Sequence, residues 1–337
     1  MHKKATISTF MLLAILSVLI ISFSLILGRY SISIKDLWLF IQSCFNADIK
    51  VQPQIKTILI DIRLPRIIAA FLVGGTLSIT GATYQGMFRN PMVSPSILGV
   101  SSGAGFGAAL AILLALSPFM MQTLSFAFGI GAVIAVYAIS LVTGKKHEKC
   151  LTLILSGMIV ATVFAALISM LKYVADPNDT LPSIVYWLMG GLSDIEMPDL
   201  FFIAIVSIVG LILLSISGWK LDMLSFGDEE ARTMGIHVER FRFLVISIAT
   251  LMTASAVSIS GIIGWVGLVI PHISRMLTGS KNAVLLPTSF FIGGIFLLIV
   301  DDFSRTVVSM EIPLGITTSL IGAPFFIFIL IKSSNKH

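Results

Sequence analysis

Residues 243–277 read FLVISIATLMTASAVSISGIIGWVGLVIPHISRML, and the number of times this stretch crosses a membrane sets the topology of the whole chain. Read as one span, it gives nine membrane helices and leaves Arg275, Lys281, Lys332 and Lys336 outside. Read as two, with a turn in Ser260-Gly261-Ile262-Ile263-Gly264, it gives ten helices and puts those four cations inside, while Arg305 stays outside. Lys and Arg near span ends collect on the cytoplasmic side, so ten is the expectation. The eighth helix is then short, about 13 residues or ~20 Å long. Such a helix needs protein around it, because lipid satisfies no backbone polar group.

Working outward, a ninth helix is expected over about Leu285–Val300, ending outside at Asp301-Asp302-Phe303-Ser304-Arg305. A tenth follows over about Gly315–Ile331, ending inside at Lys332. In the other direction lies the longest cytoplasmic loop, Trp219 to Arg242, WKLDMLSFGDEEARTMGIHVERFR. It carries charges of both signs, yet Leu221, Leu224, Phe226, Ala231 and Met234 make it more apolar than a connector needs. Two short helices offering a docking face are expected there. Before it come a sixth span over about Leu200–Ser217, an interfacial partial helix around Tyr186–Gly191 and a fifth span over about Leu151–Tyr173.

The run Gly144-Lys145-Lys146-His147-Glu148-Lys149 is the strongest cytoplasmic marker. The fourth and third spans occupy about Gln122–Val142 and Ser96–Leu116, and the corner Arg89-Asn90-Pro91 to Pro95 forces the turn before them. The second starts near Arg66. Residues 29–62 form an external loop with one short helix around Ile34–Phe45, and Ala5–Leu27 is the first span. It exceeds a signal h-region of about 7–15 residues. With Lys3 and Lys4 inside, both termini of this single 337-residue domain are expected in the cytoplasm.

Composition supports a membrane protein. Hydrophobic residues make up 56% and charged residues 12% of the chain, about half the charge of a soluble protein. The net charge of +5 is spread over span ends and does not suggest nucleic acid. The two cysteines, Cys44 and Cys150, fall on opposite sides of the membrane and make no disulfide.

Enzyme motifs fail on context. Gly99-Val100-Ser101-Ser102-Gly103 fits G-x-S-x-G but lies in a glycine-rich membrane helix, where small residues serve helix packing. No G-x-x-x-x-G-K-[ST] occurs in the sequence, so a P-loop is excluded. His272 has no second ligand at metal spacing. Every Asp and Glu is expected in a loop or at a helix end, which argues against a gradient-driven carrier. The pattern Ser78-Ile79-Thr80-Gly81 before Pro91 is echoed by Ser258-Ile259-Ser260-Gly261 before Pro271 and suggests two repeated halves.

Several motifs in one order resemble the permease family of binding-protein-dependent ABC importers for iron–siderophores, haem and cobalamin. They are Arg63-Leu64-Pro65-Arg66, the run Gly81 to Pro91, Leu98 to Ala104, Leu224 to Gly235, Gly264 to Arg275, Leu286-Pro287, Glu311 to Ile316 and Gly322 to Phe325. Lys281-Asn282-Ala283 departs from the family's usual Asp-His-Arg. The resemblance implies an all-α, cobalamin-importer-like (type II) permease of about ten helices in a bacterial or archaeal plasma membrane. It implies no enzyme activity of its own, no cofactor and no metal. Its partners would be a second permease subunit, two ATP-binding subunits, an extracytoplasmic binding protein and the lipid bilayer.

Residue by residue, the resemblance assigns binding-protein docking to Arg63, Arg66 and Arg305. It assigns ATPase coupling, within a loop over residues 219–242 and the corner after it, to Leu224, Gly227, Glu229, Ala231, Arg232, Gly235, His272 and Arg275. Gly144, Lys145, Lys146 and His147 would form a cytoplasmic gate loop. A ferric siderophore is the family's commonest cargo; haem, cobalamin and molybdate or tungstate are the alternatives.

Overall fold

The computed structural model describes residues 2–28, 30, 32–46, 51–143, 149–308 and 310–334, and these contain helices and no strand. In chain order the helices are α1 (His2–Ile26), α2 (Ile34–Phe45), α3 (Pro53–Thr57), α4 (Leu64–Phe88), α5 (Val100–Leu113), α6 (Pro118–Thr143), α7 (Lys149–Val174) and α8 (Thr180–Leu188). They continue as α9 (Met197–Ile216), α10 (Gly218–Ser225), α11 (Asp228–Thr233), α12 (Val238–Ser260), α13 (Val266–Thr278), α14 (Asn282–Thr306) and α15 (Leu314–Ser334). By length and composition α6, α7, α9, α12 and α14 can each cross a membrane, and shorter apolar helices lie within α1, α5, α13 and α15. With the 25-residue α4, the tally agrees with the ten expected spans.

The stretch that decides the topology is indeed two helices. Gly261 adopts φ +65° and Trp265 φ +68°, so α12 stops and α13 starts afresh. A side chain at position 261 would need a rare left-handed backbone and would place Cβ 2.3 Å from the Trp187 carbonyl oxygen. The broken segment is enclosed by protein. The Gly191 N–H donates to the Ser260 carbonyl at 2.9 Å, and the Trp265 ring meets Phe326 of α15 edge-on, with centroids 6.4 Å apart. That enclosure is what irregular backbone at membrane depth requires.

α4 is the hub. It is buried along nearly its whole length and packs on α14, α13, α12 and α9. Lipid gives helices no hydrophobic reason to associate, so close backbone approach has to supply the contact. Here it does: a Cβ on Gly74 would stand 2.2 Å from the Gly293 carbonyl oxygen, and one on Gly81 would stand 1.9 Å from that of Gly267. In contrast, only 22% of the apolar window of α6 and 28% of those of α7 and α9 are buried, against 67% for α12 and 61% for α14. Interior and periphery are thereby distinguished.

Two expectations need correction. α14 runs on to Thr306, so Asp301, Asp302 and Arg305 sit inside a helix rather than in a loop. The proposed repeat also fails: Gly81 lies within α4, whereas Gly261 terminates α12, and Pro271 lies inside α13 while Pro91 follows α4. Four small residues matched without a structural counterpart.

Candidate functional site

The two ends of the bundle carry nearly all its charge chemistry. At the end where α4 begins and α14 finishes, three guanidiniums converge. Arg66 donates from Nε to Asp301 Oδ2 at 3.0 Å and from Nη2 to Oδ1 at 2.9 Å. Its Nη1 donates to both carboxylate oxygens of Glu311 at 2.9 Å. Arg305, one turn beyond Asp301 and Asp302 on α14, pairs with Asp302 and donates to the Ser24 carbonyl of α1 at 2.9 Å. The Ser24 hydroxyl donates to Asp302 Oδ1 at 2.6 Å.

Arg63 does a different job. Its Nη1 donates to the Leu25 and Ile26 carbonyls, and its Nη2 to that of Tyr30. The last carbonyls of a helix lack intrahelical partners and carry partial negative charge, so Arg63 caps α1. Burial, and then the charge of Arg305, draw its pKa below the ordinary value, while Asp302 draws it back up.

The three arginines are thus brought together as expected, but not as free charges. Their relative exposures are 3% for Arg63, 9% for Arg66 and 6% for Arg305, and each guanidinium is engaged within the chain. A 310 Å³ pocket opens on them, lined by Gly28, Tyr30, Ile58, Ile62, Arg63, Arg66, Arg305 and Glu311. Glu311 is the accessible member: its side chain is 27% exposed, against 0% for Asp301. It also accepts from the Ser193 hydroxyl at 2.7 Å. Just beyond it, the Leu314 and Gly315 N–H groups donate to the Gly190 and Met189 carbonyls at 2.9 and 3.0 Å. Through these bonds the start of α15 is fastened to the end of α8.

At the opposite end, the loop over residues 219–242 does form two short helices, α10 and α11, fixed by two carboxylates. Asp222 accepts from the Asn282 backbone N–H at 2.9 Å and from its amide Nδ2 at 2.8 Å, joining α10 to the start of α14. Asp228 accepts from Arg242 Nη2 at 3.0 Å, joining α11 to α12. Leu221, Leu224 and Ala231 lie fully buried beneath. Leu224 and Ala231 therefore hold this unit in place and offer no surface to a partner. What faces outward is Phe226, Glu229, Arg232, Met234 and Gly235. Gly227 and Gly235 both take positive φ, +136° and +83°. Beside the unit, Arg275 donates to the Gln85 side chain, which itself donates to the Val93 carbonyl at 3.2 Å, tying α13 to α4 and its corner. His272 is half-buried on the same short helix. Gly144, Lys145, Lys146 and His147 lie outside the described residues.

Sequence reasoning passed over Asp222, Asp228, Arg242, Asp301, Asp302, Glu311, Ser24 and Ser193 as site residues. For Asp301, Asp302 and Arg305 a signal existed, since i,i+3 and i,i+4 spacing pairs charges on a helix. The others meet only through the tertiary fold. Among the described residues no group of three or more His, Cys, Asp and Glu side chains could hold a metal ion.

A helical bundle of this span content, with charge gathered at its two ends, defines a multi-pass membrane protein. The chain belongs to the FecCD transport family, which it matches over residues 14–332. It is 40% identical over 315 residues to the molybdate import system permease protein MolB of Haemophilus influenzae, covering 93% of this chain and 92% of that one. It is 42% identical over 270 residues to the cobalamin import system permease protein BtuC of Halobacterium salinarum, covering 80% and 72%. A solved structure of a metal-chelate type ABC transporter in an inward-facing conformation superimposes with a TM-score of 0.85 at 38% identity, covering 95% of this chain and 97% of that one. The chain is an ABC importer permease, and hydrolysis of ATP is not its own activity.

Proposed function

We propose that this permease forms half of the pathway of a binding-protein-dependent importer, together with a second copy or a similar permease. The binding protein docks outside the cell at the end holding Arg63, Arg66 and Arg305; two ATP-hydrolysing subunits dock inside on α10 and α11. The observation that carries this reading is the way α10 and α11 are built. Two side-chain carboxylates and a buried apolar underside hold them against α12 and α14, so a push on Phe226 or Met234 is passed to the spans rather than absorbed in a loop.

The proposed cargo is a metal chelate, with a ferric siderophore first, in keeping with the metal-chelate type transporter that the fold matches at a TM-score of 0.85. Molybdate is the second reading, favoured by the relative that aligns over 93% of the chain. Membrane vesicles containing the complex, given its binding protein, test both points at once. Uptake of a radioiron siderophore is expected to need ATP and to persist with a protonophore present. Uptake of radiomolybdate instead reassigns the cargo. Uptake abolished by the protonophore while ATP remains overturns the importer reading in favour of an ion-gradient carrier.

A further inference from the structure

At this end Arg66 is held by two carboxylates, Asp301 and Glu311, and Arg305 by Asp301 and Asp302, while Arg63 is engaged by the last carbonyls of α1. An acidic group of a partner that reached the Arg66 fork would crowd a third carboxylate onto one guanidinium, and like charges at one site repel. Such a group can be seated on Arg66 if a resident carboxylate leaves. Asp301 cannot: it is fully buried in α14 and bound to two arginines. Asp302 is held by Arg305 and by Ser24 of α1. Glu311 can. It lies between α14 and α15, its side chain is 27% exposed, and it borders the pocket.

We propose that Glu311 is a resident stand-in for a carboxylate of the docking partner, and that its displacement from Arg66 carries the docking event to α8 and α15. This rests on the docking reading above and adds the exchange. Arg66 presents a planar fork suited to a bidentate carboxylate, so the incoming group is an acidic side chain of a protein lobe. Lipid phosphate fits less well, since all three arginines are buried residues whose guanidiniums bond groups within the bundle.

The consequence follows from what else Glu311 holds. It accepts from Ser193 at 2.7 Å, and Ser193 lies 3.3 Å from the Tyr186 hydroxyl on α8. Three residues on, α15 begins, bonded through Leu314 and Gly315 to Gly190 and Met189, the residues that follow α8. Freeing Glu311 loosens this clasp where the end of α8 and the turn after it lie on the broken backbone at Gly261, through Trp187 and Gly190.

The test uses the reconstituted permease–ATPase complex with its binding protein, in nanodiscs, with Cys44 and Cys150 replaced by Ser. Ile184→Cys, a fully buried position on α8, reports movement through its maleimide-labelling rate. In this background the binding protein is expected to speed labelling several-fold. Glu311→Gln, which keeps the shape and removes the charge, is expected to label fast without binding protein. It should also bind that protein about fivefold more tightly, the ratio that one exposed ion pair supports. Ser193→Ala is expected to bind normally but to lose part of the labelling response.

Glu311→Gln that labels slowly and binds no tighter overturns the exchange while leaving docking intact. Absence of binding to the unmodified complex and to Glu311→Gln alike refutes docking at this end, and the exchange with it. A labelling rate that follows the anionic-lipid content of the nanodisc rather than the binding protein assigns the pocket to phosphate and likewise overturns the proposal.

Discussion

The two ends of the bundle use charge in opposite ways. Around Arg66, five charged side chains interlock beside the capping Arg63, and only Glu311 keeps appreciable exposure. Around α10 and α11, Asp222 and Asp228 each bind a single neighbour, while Glu229 and Arg232 remain in solvent. A closed cluster resists deformation and responds only to exchange; open charges on a braced unit meet a partner directly. The difference suits one end to being triggered and the other to being pushed. Between them, α4 meets α14 and α13 through close backbone contacts at Gly74, Gly81 and Gly293.

The comparison breaks first at Asp301. Asp301→Ala leaves Arg66 and Arg305 without their shared buried partner, a loss of about 3–5 kcal/mol. The variant is expected to lose most of its monodisperse yield in detergent and to melt well below the parent. Glu229→Ala, at the other end, should cost far less, because Glu229 is exposed and water screens its charge. Its effect is expected in uptake, not in melting. Equal melting points for the two variants would sink the claim that the ends differ.

A middle-sized effect is expected at Gly293. A Cβ there would stand 1.9 Å from the Ser78 hydroxyl and 2.4 Å from the Gly74 carbonyl oxygen. Gly293→Val should therefore force α14 off α4 and cost about 1–3 kcal/mol, read as a lower melting temperature with transport reduced at once. Unchanged melting would mean that the ends are not joined by this contact. Gly235→Val meets no neighbour within 4 Å, yet φ is +83°. The strain of about 1–2 kcal/mol stays local. ATP hydrolysis should uncouple from uptake with membrane insertion normal, and fully coupled transport would contradict a role for this turn.

The smallest effect belongs to Arg232, whose pair with Glu239 spans 3.9 Å with both side chains 54% exposed. Arg232→Ala should move stability by about 0.2–1 kcal/mol at most. ATPase association should weaken more at low salt, where attraction between exposed charges is least screened. A salt-independent change would place Arg232 outside the interface.

Much of this architecture was legible because membrane helices announce themselves by length, and cation placement resolved the one ambiguous stretch at Gly261. The short helix over Ile34–Phe45 was legible too, from its bounds alone. The chemistry of the end around Arg66 was not. Ending the ninth span at Val300 put Asp301 and Asp302 in solvent, which concealed their pairing with Arg66 and Arg305. Apolar runs locate where lipid ends but not where a helix does, because a buried ion pair lets the helix continue past the last apolar residue. The coupling unit was legible as helices, whereas its pins were not: Asp222 meets Asn282 across sixty positions, and Arg242 meets Asp228 across fourteen. Leu224 and Ala231 read as surface from their place in a charged loop, yet they form its underside.

The proposed roles of the two ends depend on which side of the membrane each faces. α7 and α8 are joined by the turn containing Asn178, at the end proposed for docking, and α15 finishes near Ser334, at the end proposed for coupling. In protein with Cys44 and Cys150 replaced by Ser, Asn178→Cys and Ser334→Cys are therefore tested separately with a membrane-impermeant maleimide on intact cells. Labelling from outside at 178 and none at 334 is the predicted result. External labelling at 334 would contradict the even number of spans and, with it, the assignment of a triggered outer end and a pushed inner one.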